Sequence, residues 1–177
     1  MDKNKKTTVI VGILILVAYS MLASINVHPV IGLFTEVISG AAVIGIAILM
    51  YPLFKPYKLR ISYLIIKGIE GLLMFAAGVF VLLQNITMYN NIYAIHVYAF
   101  SISAFLFYVL LQKKQLLPKF ISIWGMVASV LVSVANVYTQ LGFELPMLGT
   151  IIGYAPIILN EVFLAIWLMI KGFNKRK

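Results

Sequence analysis

Lys67 and Glu70 stand three residues apart inside an apolar run, Ile61 to Leu83, that is long enough to cross a bilayer. At that spacing both side chains share one helical face. A charge in hydrocarbon costs at least a few kcal/mol, so such residues turn toward protein or water and mark candidate sites. Glu161 is a second buried acid of this kind. Glu70 lies ten residues after Arg60 and Glu161 ten residues before Lys171. At a rise of ~1.5 Å per residue both carboxylates reach about 15 Å deep from the same side. Pro156, five residues before Glu161, removes a backbone hydrogen bond and is expected to kink its helix. Asn160 adds a polar neighbour. Lys67, Glu70, Asn160 and Glu161 are therefore expected to form one intramembrane cluster.

Two chemistries fit such a cluster. The first is a buried lock that joins helix faces, since polar contacts commonly hold membrane helices together. The second is proton-coupled movement of a solute. The spans hold Glu36, Glu70 and Glu161 against the single Lys67. At least one of these acids is thus expected to carry a proton at neutral pH, unless a cation or water fills the site. Lys67 has a further option, which is to snorkel toward Arg60 and leave Glu70 unpaired.

A second polar set lies nearer the opposite face: Glu36, His96, Asn136 and Gln140. His96 with Glu36 suggests a proton relay or half of a metal site, with His28 as a third ligand. A metal centre needs three or four ligands in defined geometry, and no HxxxH or HxxE spacing supplies them, so no metal and no cofactor is expected. No nucleophile elbow accompanies the serines, His96 and Glu36, and no glycine-rich phosphate loop is present. No residue is assigned a catalytic role. Ser122, Gly125, Ser129, Ser133, Asn136 and Gln140 recur at steps of three or four. That gives one small, polar stripe, which either packs closely on a neighbour or lines a path. Gly149 and Gly153 form a small-xxx-small pair of the packing kind.

The elements that must position these residues follow from composition. The chain has 177 residues, 63% hydrophobic and 11% charged, with a mean hydropathy of +1.04. A soluble domain carries roughly 45–50% apolar and about 25% charged residues, and one of this size could not hide so much apolar surface. There is no cysteine, which excludes disulfides, thiolate metal sites and a thiol nucleophile. The net charge of +9 does not point to nucleic acid, because the basic residues form short clusters between apolar runs.

Six spans are expected, at about 7–25, 30–53, 61–83, 92–111, 120–141 and 147–170. Pro52 and Pro56 bracket the end of the second, and Gln84–Asn91 reads as a polar loop. The chain is expected to be one all-α membrane domain, 1–177, without a linker. The basic start followed by an apolar stretch reads as a span and not a cleaved leader, because the run is long and lacks a small-x-small site. Thirteen of the fourteen Lys and Arg lie in the N-terminal tail, the second-to-third and fourth-to-fifth loops, and the C-terminus. The three opposite loops hold none. This bias places both termini in the cytoplasm of a cell membrane. Trp124 and Trp167 lie near the same side, where an aromatic belt is expected. Tyr51-Pro-Leu-Phe…Arg60-Ile-Ser and Tyr108-Val-Leu-Leu…Lys119-Phe-Ile-Ser are a weak internal echo.

The motifs resemble a prokaryotic family of small multi-pass membrane proteins, domain of unknown function 4386. The resemblance rests on Tyr51-Pro-Leu-Phe-Lys-Pro56, on Lys67-Gly-Ile-Glu70 and on Leu117-Pro-Lys-Phe-Ile-Ser-Ile-Trp-Gly125. It also rests on Pro156…Asn160-Glu161…Trp167-Leu-Met-Ile-Lys-Gly-Phe173. The family prefers Arg at the position of Lys67, a change that keeps the charge and loses the bidentate fork. The resemblance implies a fold and a set of recurring positions and no mechanism. Three functions are consistent with the residues. The first is proton-linked transport or permeation of a small solute, carried by Glu70 and Glu161. The second is a non-catalytic accessory, immunity or sensory subunit. The third is a membrane-embedded lipid-modifying enzyme. The expected partners are the lipid bilayer, a second copy in a homodimer or another membrane protein, and no nucleic acid.

Overall fold

The computed structural model describes residues 3–174. The side chains of residues 3, 4 and 23–25 fall outside that description, as do Lys175, Arg176 and Lys177 of the C-terminal basic cluster. The helices are α1 (Lys3–Ala18), α2 (Pro29–Met50), α3 (Leu59–Leu82), α4 (Ile86–Lys113), α5 (Lys119–Gln140) and α6 (Met147–Ile170). α1 continues into a 3-10 segment, Tyr19–Asn26. All six helical stretches are long and apolar enough to cross a membrane.

Local chemistry sets the boundaries. His28 precedes α2 with Pro29 in its first turn, where a missing N–H costs nothing. Asn85 starts α4: its side chain accepts from the Met88 N–H at 3.0 Å, which satisfies one of the orphan donors of a helix start. For that reason α4 begins six residues before the expected span at Ile92, and the polar stretch Tyr89–Asn91 is helical. α5 ends on Gly142 at φ 85°, with the Phe143 N–H bonded back to the Tyr138 carbonyl, a closure that favours glycine. α6 runs unbroken through Pro156.

Each helix packs on its neighbours in chain order, and α1 against α6 closes the series into a ring. Among the described residues, no two α-helices opposite each other in the ring come within 8 Å between Cα atoms. Small residues allow the close seams. A Cβ on Gly40 would lie 2.7 Å from the Gly71 carbonyl oxygen, joining α2 to α3. One on Gly12 would lie 2.7 Å from the Ala165 carbonyl oxygen, across the α1–α6 seam. Membrane helices approach this closely where side chains are small.

At the end carrying the basic loops the ring is filled. Phe54, Tyr63 and Tyr108 are fully buried there and Phe107 nearly so. Tyr63 stacks on Phe107 at 5.6 Å and meets Phe54 edge-on at 5.6 Å, geometries that aromatic quadrupoles favour. Leu116 and Leu117 of the α4–α5 turn are buried in the same cluster. Toward the other end the ring has a hollow centre.

Candidate functional site

The hollow is a cavity of about 470 Å³ lined by all six helices and by the 3-10 segment. Its inner end rests on Tyr63 and Phe107 of the aromatic floor. Its outer end is lined by Asn90, Thr139 and Gln140, all of them exposed. It therefore opens toward the end whose loops hold no Lys or Arg. Its charged lining residues are Lys67, Glu70 and Glu161.

α3 sets the first pair. Lys67 Nζ lies 2.9 Å from Glu70 Oε1, and this is the one ion pair among the described residues. The i, i+3 spacing brings both onto the buried face of the helix. Glu70 Oε2 accepts a short hydrogen bond from Ser103 Oγ on α4. Lys67 Nζ also lies 5.5 Å from the centre of the Phe100 ring, within cation–π range. Lys67 does not snorkel: it is 7% exposed and Glu70 is 1% exposed.

Glu161 projects from α6 and is held differently. Its Oε2 accepts from Tyr19 Oη at 2.9 Å, and no basic side chain among the described residues comes within ion-pair distance. Tyr19 is the first residue of the 3-10 segment. Runs of this conformation longer than three or four residues are uncommon, and inside a helix they often mark a hinge. Here the segment is fastened to α2. Ser20 Oγ and Ser39 Oγ lie 2.8 Å apart, and the Met21 N–H bonds to Ser39 Oγ at 2.9 Å.

The expected cluster of four thus divides. Lys67, Glu70 and Glu161 face one cavity. Asn160 is fully buried and turns the other way, donating from Nδ2 to the Ile121 carbonyl on α5 at 3.1 Å. The outer set divides as well. His96, Asn136 and Gln140 line the cavity. Glu36 packs between helices and accepts from Tyr89 Oη at 3.4 Å. Glu36 is not among the residues that line the cavity with His96, and no group of three His, Asp or Glu among the described residues is placed to hold a metal ion. The stripe on α5 lies against α4 for most of its length. Gly125 faces the Tyr108 ring, Ser133 meets Ser101 at 2.7 Å, and Asn136 donates to the Ala94 carbonyl at 3.2 Å. Only its end, from Asn136 to Gln140, reaches the cavity.

Sequence reasoning missed Tyr19, Ser103 and the aromatic wall. Tyr89, Tyr93, His96 and Phe100 form a ladder along α4, with successive ring centres 5.7, 5.5 and 6.4 Å apart. The signal was present, because these residues recur at four, three and four positions, one face of a helix. On two residues of the lining, Tyr63 Oη and His96 Nδ1 are buried and make no hydrogen bond among the described residues.

Six long apolar helices around a charged, hollow centre define a multi-pass α-helical membrane protein. Residues 76–172, more than half of the chain, match the family described as domain of unknown function (DUF4386), and the protein belongs to it. The match covers the motif of α5 and that of α6 as far as Gly172, and begins after Lys67-Gly-Ile-Glu70. No curated protein and no solved structure matches the chain.

Proposed function

We propose that the protein moves a small solute, coupled to protons, through the central cavity. One observation carries this reading: carboxylate residues on two different helices line the same cavity, which opens at one end and is floored by packed aromatics at the other. A cavity closed on one side and open on the other is half of an alternating-access cycle. Glu161 is the better carrier of the two, because Glu70 is already engaged by Lys67 and Ser103. The α1 transition at Tyr19, beside Glu161, supplies a joint about which the wall can move.

In this reading the chain is one membrane domain. The basic loops lie in the cytoplasm with both termini, following the positive-inside bias, and the cavity opens outward from a prokaryotic cell membrane. A purely packing role for the charges fits less well, since a dry lock has no need of a cavity beside it. A lipid-modifying enzyme would need His96 and Glu36 at one opening, and Glu36 is not among the residues lining the cavity that His96 lines.

The test is a pH jump across proteoliposomes carrying an internal pH-sensitive dye, with wild type beside Glu70→Gln and Glu161→Gln. Wild type is expected to relax the gradient faster than empty vesicles and faster than Glu161→Gln. Equal rates for wild type and both variants would remove the carrier role.

A further inference from the structure

We infer that the cavity binds a monovalent organic cation with an apolar body, and that Glu161 is its counter-charge. The inference rests on the reading of the cavity as a solute site and adds the class of solute. Two carboxylates, Glu70 and Glu161, face the cavity against one ammonium, Lys67. Lys67 is paired with Glu70 at 2.9 Å, so when both acids are ionised the surplus negative charge falls on Glu161, which has no ion pair among the described residues. A buried charge with no ionic partner is costly unless something compensates it. The Tyr19 hydroxyl is a dipole and supplies only part of that compensation.

The walls say what kind of cation fits. Most of the lining is apolar, and Tyr19, Tyr93, Phe100 and Tyr154 are among its aromatic residues. Aromatic faces attract cations, and more strongly once water is excluded. A bare metal ion would instead need several oxygen or nitrogen ligands converging within bonding distance. Around a drug-sized space, apolar walls with a few polar groups are what organic ligands meet. Approach fits too. The mouth residues Asn90, Thr139 and Gln140 are uncharged, and no Lys or Arg lies in the three loops at that end. A cation therefore meets no repulsion on its way in, and an anion finds no attraction.

The decisive comparison uses two probes of one shape and opposite charge, tetraphenylphosphonium and tetraphenylborate. Both are measured by equilibrium dialysis on the full-length protein in neutral-detergent micelles, against matched empty micelles. Saturable phosphonium binding, at least tenfold tighter than borate binding, is the expected result on wild type. Glu161→Gln should weaken phosphonium binding at least tenfold, and Glu161→Asp should restore it to within a few-fold. Borate binding as tight as phosphonium binding, or no saturable phosphonium binding, overturns the inference. So does a Glu161→Gln protein that elutes as wild type does and binds the phosphonium equally well. The charge comparison is read on wild type, so it decides even where Glu161→Gln fails to fold. Phosphonium binding without solute or proton flux in vesicles would leave the cation site standing and remove transport. Proton-linked flux of another solute without phosphonium binding would do the reverse.

Discussion

Tyr19, at the start of the 3-10 segment that follows the first helix, and Glu161 on the sixth are joined by a 2.9 Å hydrogen bond beside the seam that closes the ring. The two residues are 142 positions apart in sequence, and the bond forms where α1 gives way to a 3-10 segment. The contact ties the carboxylate of the cavity to the most irregular part of its wall. Tyr19→Phe removes the donor and keeps the ring. It should cost about 1 kcal/mol, the scale of hydrogen bonds between membrane helices, read as a lower unfolding midpoint in detergent micelles. An unchanged midpoint would mean that Glu161 is held by something other than Tyr19.

Much of the scaffold was legible in sequence because the bilayer writes it there. Hydrocarbon tolerates long apolar helices and few charges, so the six spans and the Lys67–Glu70 pair could be read directly. The start of α4 could not, since Asn85 as a helix cap and Gln84–Asn91 as a loop use the same polar residues. The partners of the acids were hidden for another reason. Tyr19 and Ser103 are ordinary residues for a membrane helix, and only the closure of the ring brings them to Glu161 and Glu70. Asn160 misled by proximity: next to Glu161 in the chain, it points about 100° away around the helix and bonds to α5.

The Lys67–Glu70 pair should behave as a unit. Lys67→Met or Glu70→Gln alone leaves a buried group without its partner and should destabilise by about 3 kcal/mol. The double variant Lys67→Met/Glu70→Gln should lie closer to wild type than the sum of the two, with a coupling of about 1–3 kcal/mol. A double-mutant cycle on unfolding free energies in micelles measures this. Strict additivity would show that the 2.9 Å contact contributes nothing.

The α5 stripe should respond to size and not to polarity where it meets α4. A Cβ on Gly125 would sit 2.4 Å from the Tyr108 ring. Gly125→Ala should therefore cost about 1–3 kcal/mol through overpacking. Shrinking the neighbour with Tyr108→Leu should recover much of that loss, so the paired variant should melt above Gly125→Ala alone. Ser129→Ala, by contrast, removes only a hydrogen bond to the carbonyl of Met126 in its own helix and should change the midpoint little. Sensitivity at Ser129 with tolerance at Gly125 would reverse the assignment of this stripe to packing.

The absence of cysteine makes single-cysteine reporters clean tests of which end of the ring is open. Gln140 is exposed at the cavity mouth, whereas Phe54 is 0% exposed in the floor. Gln140→Cys should react with a membrane-impermeant maleimide added outside right-side-out vesicles, and Phe54→Cys should resist it from either side. Under the proposed topology, with the basic loops in the cytoplasm, Lys58→Cys in the loop before α3 should react only in inside-out vesicles. Mapping by gel shift separates the two ends. Labelling of Lys58→Cys from outside would invert the topology and turn the cavity toward the cytoplasm. Rapid labelling of Phe54→Cys from the cytoplasmic side would mean that the aromatic floor opens, and the cavity would then be a through-path and no longer a cup.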